Sequence, residues 1–321
     1  MRSGLLRAGL PSFEQICDAA ARIAPYATVT PVLRSARLDA LVGAELHFKC
    51  ENLQRGGAFK FRGACNAVWS LDDAQAARGV VTHSSGNHGN ALAMAAATRG
   101  ISAHVVVPEG AVRAKLEAIE QAGAVLHRCA PTQAAREAMA AEVQRQTGSE
   151  LVHPYADARV MAGQGTLVLE LMRQVEALDA LITPVGGGGL ASGCAIAAHG
   201  IDPALALFGA EPLGASDAAQ SLARGARIEA FTADTICDGL RALIGEPNFE
   251  ALRSHRTQVI TVSDEETIAA MKLLWRELKQ VVEVSSATVF AAVLKQREHF
   301  AGRRVGLVLT GGNVDLDALP W

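Results

Sequence analysis

Short β-branched apolar runs alternate along this chain with longer, alanine-rich stretches whose apolar positions recur at helical spacing. GVVTHSS (79–85) reads as a strand running into a loop, and GNALAMAAATRG (89–100) as a helix closed by Gly100. SAHVVVPEG (102–110) reads as a strand and RAKLEAIEQAGA (113–124) as a helix. AVLHRCA (124–130) is strand again, and PTQAAREAMAAEVQRQTG (131–148) is helix. The rhythm returns in ALITPVGGGGLASGCAIAAHG (180–200), LALFGAE (205–211), TQVITVS (257–263) and RRVGLVLTGG (303–312). One strand and one helix in roughly every 20–25 residues predicts an α/β fold, with parallel sheet covered by helices on both faces. No repeat or low-complexity segment interrupts it.

In open α/β sheets, ligands sit beyond the carboxyl ends of the strands. Four predicted strands leave through unusual residues: HSSGNHG (83–89), GGGG (186–189), AEP (210–212) and TGGN (310–313). One such exit means little; four in one chain point to a built site.

PVGGGGL (184–190) follows a strand and opens a small-residue helix. Consecutive glycines let backbone N–H groups converge, and a helix N-terminus adds positive potential. That combination cradles a phosphate. Two other readings stay open. The run also suits a tight turn that only glycine can make. Gly186, Gly188 and Ala191 fit GxGxxA, with Glu211 ending the next strand. That is nearly a dinucleotide fingerprint and would suit an NAD-linked oxidoreductase.

Composition narrows the field. The chain has 321 residues, half of them hydrophobic and a fifth charged, with a net charge of −3. This is the balance of a globular protein of about two domains or one large one. Basic residues are scattered, so no nucleic-acid footprint is expected. The longest apolar runs, such as VGLVL (305–309), are strand-sized and far from the roughly 20 residues of a membrane helix. The opening MRSGLLRAGLPSFEQ holds only a short apolar run, so an export signal is not expected. The six cysteines are far apart and form no CxxC pair, as in a reduced, cytoplasmic protein without disulfides or zinc.

Lys60 is the sharpest candidate. It stands in ENLQRGGAFKFRGACNAV (51–68), between Phe59 and Phe61, with Gly56 and Gly57 before it and Gly63 after it. The plain reading is a solvated surface cation. A reactive lysine would need a dry pocket or nearby cations to lower its pKa.

GAFKFRGA, SSGNHGNA, PVGGGGL and TGGNVD stand in this order along the chain. Together they make it resemble the fold-type-II family of pyridoxal-phosphate (PLP) enzymes. The branch it resembles holds serine racemase, the catabolic serine/threonine dehydratases and the 3-hydroxyaspartate ammonia-lyases. The resemblance runs from about Thr30 to Asp315. It implies a tryptophan synthase β-like fold of two open, twisted, mostly parallel sheets with helices on both faces. A large PLP-binding domain (1–71 and 154–321) and a small mobile domain (72–153) would hold PLP between them.

The resemblance also assigns roles. Lys60 would join PLP as an imine and act as the catalytic base. Phe59 would pack on the ring, and Asn87 would bond the 3-hydroxyl. Gly186, Gly187, Gly188, Gly189 and Leu190 would hold the phosphate, and Thr310 would meet the pyridine nitrogen. A neutral hydroxyl at Thr310 does not enforce a protonated ring, so loss of a β leaving group is favoured over transamination. Ser84, Ser85, Gly86, Asn87 and His88 would hold the substrate α-carboxylate, with Ser85 facing the cofactor opposite Lys60. The plainer readings are a helix N-cap for the serines and a structural role for His88. Arg136, in TQAARE, is either an exposed helix residue or an arm that pairs with a distal carboxylate and favours 3-hydroxyaspartate.

GAEPLGASDAAQS (209–221) matches the branch's divalent-cation loop. Glu211, Asp217 and the Ala215 carbonyl would ligate Mg²⁺, Ca²⁺ or Mn²⁺ through hard oxygens. The plain alternative is a strand-end Glu and a solvated loop Asp. Three features depart from the family pattern. Arg55-Gly56 and Ala122 replace the polar residues of the nucleotide-binding relatives, so nucleotide activation is not expected. The usual proline- and glycine-bearing strand exit reads Glu283-Val284-Ser285-Ser286-Ala287. With TGGNVD so near Trp321, no appended regulatory domain is expected.

The expected activity is therefore PLP-dependent α,β-elimination of water from L-threonine, L-serine or 3-hydroxyaspartate, giving a 2-oxo acid and ammonia. The alternative on the same residues is an amino-acid racemase. A homodimer without nucleic-acid or membrane partners is expected.

Overall fold

The computed structural model describes residues 9–111 and 113–321. The first eight residues of the opening segment, on which the absence of an export signal was argued, lie outside the described part. The described residues hold ten strands: β1 (Val32–Leu33), β2 (Glu45–Cys50), β3 (Val80–His83), β4 (Ala103–Pro108), β5 (Val125–Cys129), β6 (Glu150–Leu151), β7 (Ala180–Pro184), β8 (Ala206–Pro212), β9 (Gln258–Val262) and β10 (Arg304–Leu309). They form two sheets. One has six strands in the order β1-β2-β10-β7-β8-β9, and the other has four in the order β5-β4-β3-β6. Only the β1–β2 pair is antiparallel. All four strands of the smaller sheet fall within residues 72–153.

The inner strands β3, β7 and β8 are buried along nearly their whole length because helices cover both faces of the sheets there. Every residue of β7 is buried, and so are five of the six in β2. The predicted helices of the smaller sheet appear as Asn87–Arg99, Arg113–Gln121 and Gln133–Thr147. Gly100 ends the first of them in the left-handed region (φ 70°), as its glycine signal predicts. Thr132 caps the third by accepting from the Ala135 N–H.

Other helices carry no readable stripe. Lys60–Trp69, Ala158–Gln174 and Val284–Lys295 are buried on most sides, so their apolar residues do not cluster on one face. The expected strand exit at Glu283–Ala287 is in fact the start of a helix, with Glu283 at its N-cap position. Among the described residues no helix is long and apolar enough to cross a membrane.

Candidate active site

Lys60 opens the helix Lys60–Trp69 at the carboxyl end of β2. Gly56 (φ 70°) and Gly57 (φ 72°) turn the chain into it through backbone angles that side-chain-bearing residues rarely adopt. At Gly57 a Cβ would lie 2.4 Å from Asn313 Oδ1, so this turn also packs too closely for a side chain. The loop is stitched to the exit of β10. Phe59 N–H donates to the Thr310 carbonyl (3.0 Å), and Gly312 N–H donates to the Gly57 carbonyl (2.9 Å).

The Lys60 amine donates to the Pro154 carbonyl at 3.0 Å and lies 5.1 Å from the Phe59 ring centroid. Burial pulls its pKa down to about 8, against the opposing pull of Glu283. Arg62, two residues further on, is fully buried. It spans Glu51 and Glu170 with paired contacts of 2.7–2.8 Å. Lys49 joins the same Glu170 at 2.7 Å. This enclosed ion cluster anchors the start of the lysine helix.

The loop Ser84-Ser85-Gly86 follows β3 and leads into the helix Asn87–Arg99. Neither serine caps that helix. Gly86 is the N-cap residue, and no side chain bonds the first N–H groups. This corrects the N-cap reading and leaves those donors for an anion. His88 is buried, with Nε2 3.4 Å from the Val152 carbonyl and Nδ1 unpartnered. Burial, then Lys60, drives its pKa well down, so it sits in the wall as a neutral ring.

Asn87 Nδ2 donates to both carboxylate oxygens of Glu283 (3.1 and 3.2 Å), and its Oδ1 accepts from Asn313 Nδ2 (2.8 Å). Glu283 is buried, and desolvation aided by Asp238 raises its pKa to about 7. Sequence reasoning placed Glu283 on a strand exit and gave it no role at the site. It lies 196 positions from Asn87, and only the helix N-terminus brings it there. The one usable signal was an acidic residue directly before a small-residue apolar stretch, a helix-start pattern.

The glycine run does form a strand–loop–helix turn between β7 and the helix Gly189–Ile201. Gly188 is its N-cap at φ 88°, and no side chain caps it. A Cβ on Gly186 would lie 2.9 Å from Leu240 Cα, and one on Gly187 would lie 2.5 Å from the Tyr155 ring. A Cβ on Gly189 would meet Tyr155 again at 2.8 Å. Tyr155, which the sequence pattern did not single out, therefore lines this turn. Leu190 is buried behind it, and Thr310 is buried beside Phe59. Arg136 is half-buried on the helix Gln133–Thr147, and its Nε lies 3.4 Å from the Thr132 carbonyl.

Glu211, Ala215 and Asp217 are all buried near one another. Both Glu211 oxygens accept backbone N–H groups, from Ala218 and Ala219 at 2.9 Å. That occupation counts against the ribose-binding role of a dinucleotide fingerprint. Asp217 Oδ2 accepts from Ile244 N–H at 2.7 Å, while its Oδ1 is buried and unpartnered. Burial raises the pKa of Glu211 to about 8 and of Asp217 to about 6. The described residues hold no cluster of three or more His, Cys, Asp or Glu suited to a metal.

Residues 23–311 match the family model described as pyridoxal-phosphate dependent enzyme. The chain belongs to this family. A beta-hydroxyaspartate dehydratase of Paracoccus denitrificans (strain Pd 1222) is 47% identical to this PLP-dependent enzyme over 312 residues, covering 97% of this chain and 99% of the relative. A serine racemase of Arabidopsis thaliana is 48% identical, covering 95% of this chain and 93% of its own length. The solved structure of maize serine racemase superposes with a TM-score of 0.93 at 44% identity, over 96% of this chain and 95% of that one. The two-sheet architecture is that of fold-type-II PLP enzymes.

Proposed function

We propose that this PLP-dependent enzyme is an ammonia-lyase that removes water from a small β-hydroxy amino acid, with 3-hydroxyaspartate, L-serine and L-threonine as the candidate substrates. The observation that carries the reading is Lys60: an amine with a pKa near 8, set beside a loop of free helix-start N–H groups. The 47% identity to a protein named beta-hydroxyaspartate dehydratase supports it.

The residues present fit PLP. The turn at 186–189 has room only for glycine and presents an uncapped helix N-terminus, which suits a phosphate. Phe59, Asn87, Leu190 and Thr310 would complete its surroundings, and Lys60 would hold it covalently. Bound PLP supplies an aldehyde for amines and an electron sink for the pair left when the α-proton goes. Lys60 takes that proton, since a pKa near the working pH suits a base. The N–H groups at the start of Asn87–Arg99, with the Ser84 and Ser85 hydroxyls, hold the α-carboxylate. Arg136 would pair with a distal carboxylate. Its charge already reaches His83 and Tyr155, which supports a place at the cleft.

Glu211, Asp217 and the Ala215 carbonyl would hold Mg²⁺, Ca²⁺ or Mn²⁺. The unpartnered Asp217 Oδ1 and the raised pKa values of both acids mark where positive charge is wanted. Motion of 72–153 against the rest, a homodimer and a cytoplasmic location complete the proposal.

The test is release of ammonia and 2-oxo acid from all stereoisomers of the three substrates, with Lys60→Ala as control. Turnover that Lys60→Ala abolishes supports the reading; no turnover on any of them, or near-normal turnover in the variant, overturns it. Arg136→Ala should raise KM for 3-hydroxyaspartate selectively. The second reading, racemisation, is favoured by the 48% identity to a serine racemase. There Ser85 would serve the cofactor face opposite Lys60, and Ser85→Ala would abolish D-isomer formation on chiral chromatography.

A further inference from the structure

Strands β3 and β6 are parallel neighbours, with Val80 opposite Glu150 and Val81 opposite Leu151. Their carboxyl ends deliver His83 and His153 side by side, ring centroids 5.1 Å apart and nearly perpendicular. His83 leads directly into Ser84-Ser85-Gly86. His153 leads directly into Pro154, whose carbonyl accepts from the Lys60 amine at 3.0 Å. His153 therefore stands between the loop that takes an α-carboxylate and the amine that takes an α-proton.

Its ring is held in one state. Nδ1 accepts from the backbone N–H groups of Ala156 (3.0 Å) and Tyr155 (3.4 Å). An Nδ1 that accepts cannot carry the proton, so the proton is on Nε2. The Tyr155 ring also packs on it edge-on, 4.6 Å away at 87°. Burial, helped by His83, brings the imidazole pKa to about 4, so the ring is neutral at working pH. His153 is half-buried, and its Nε2–H has no partner among the described residues. A neutral imidazole fixed this way polarises by donating a hydrogen bond and does not give up its proton.

The carboxylates of the proposed substrates already have partners. The α-carboxylate has the helix-start N–H groups, and a distal carboxylate calls for a cation, which His153 is not. The β-oxygen lacks a donor. We propose that the Nε2–H of His153 hydrogen-bonds the β-oxygen of the substrate as it leaves. This rests on the ammonia-lyase reading above. The Cα–H pair forms the Cα–Cβ double bond, and the Cβ–O pair departs on oxygen. The proton that Lys60 took from Cα passes to that oxygen, and water leaves. His153 stabilises the charge growing on oxygen and keeps its own proton.

The test compares two leaving groups. Chloride needs no hydrogen-bond donor as hydroxide does, so β-chloro-L-alanine serves as the reference. Wild type, His153→Leu and His153→Gln are assayed on it and on each hydroxylated substrate that wild type turns over. Loss of a donor to the leaving oxygen should lower kcat for each of these by about 10²-fold in His153→Leu. Elimination of chloride should fall by no more than about threefold, within what altered packing produces. His153→Gln, which restores an N–H near Nε2, should recover about tenfold of the lost rate. Equal losses with both leaving groups would make His153 a structural residue and overturn the assignment alone. A loss confined to 3-hydroxyaspartate and absent with L-serine would place the bond on the distal carboxylate and also overturn it. Wild type active on β-chloro-L-alanine but on no hydroxylated amino acid would overturn the ammonia-lyase reading itself.

Discussion

Replacing Lys60 by methionine should make the cofactor-free protein more stable while destroying its activity. In the folded chain the amine pKa is about 8, against an ordinary value of 10.5. At 1.36 kcal/mol per pH unit, holding the ammonium in this environment costs roughly 3 kcal/mol. Several effects reduce the gain from removing it. Lys60 is only half-buried by surface, so cleft water screens part of the cost. The bond to the Pro154 carbonyl is lost, at about 1 kcal/mol. Glu283 also loses the cation that Lys60 places near it. A net gain of about 1–2 kcal/mol at pH 6.5 is left.

The folded pKa lies below the unfolded one, so the wild-type penalty is full below pH 8 and shrinks as pH rises toward 10.5. The advantage of the methionine variant should therefore be about 1 kcal/mol smaller at pH 9 than at pH 6.5. Urea unfolding of both proteins, stripped of PLP, at the two pH values measures this. A variant no more stable than wild type at pH 6.5, or an advantage that grows with pH, would refute the account of Lys60 as a desolvated amine.

Three further outcomes are expected. Glu51→Gln takes one carboxylate from fully buried Arg62 and leaves Glu170, so urea denaturation should show a loss of about 3 kcal/mol; under 1 kcal/mol would mean the cluster is not holding the lysine helix. Gly187→Ala drives a methyl into the Tyr155 ring and should cost about 1–3 kcal/mol. Fluorescence titration of that variant should also show PLP affinity at least about tenfold weaker, whereas unchanged affinity would move the phosphate elsewhere. Adding Mg²⁺ or Ca²⁺ to chelator-treated protein at about 100 times its Kd should stabilise it by roughly 2.7 kcal/mol, and Asp217→Asn should remove the response. An unchanged melting temperature in wild type would leave Glu211 as a helix cap only.

Much of the architecture was legible in the chain. The segments from 79 to 148 were readable because their ends are marked locally: short β-branched runs give the strands, and Gly100, Thr132 and Gly148 bound the helices. Glycine positions were readable for the same local reason. Gly56, Gly57 and Gly188 sit at positive φ, which only glycine adopts without cost. Lys60 stood out because glycines and aromatic residues surround it within a few positions. Helices buried on most sides, such as Ala158–Gln174, gave no stripe to read. What only the tertiary structure decided are contacts between residues far apart in sequence. Glu283 meets Asn87 across 196 positions, and Lys49 meets Glu170 across 121. Local propensity carries no information about such pairs. Tyr155 against the glycine turn likewise depends on how distant loops are brought together. The sequence names the residue types a site requires; packing decides which of them face one another, which are desolvated, and hence which can react.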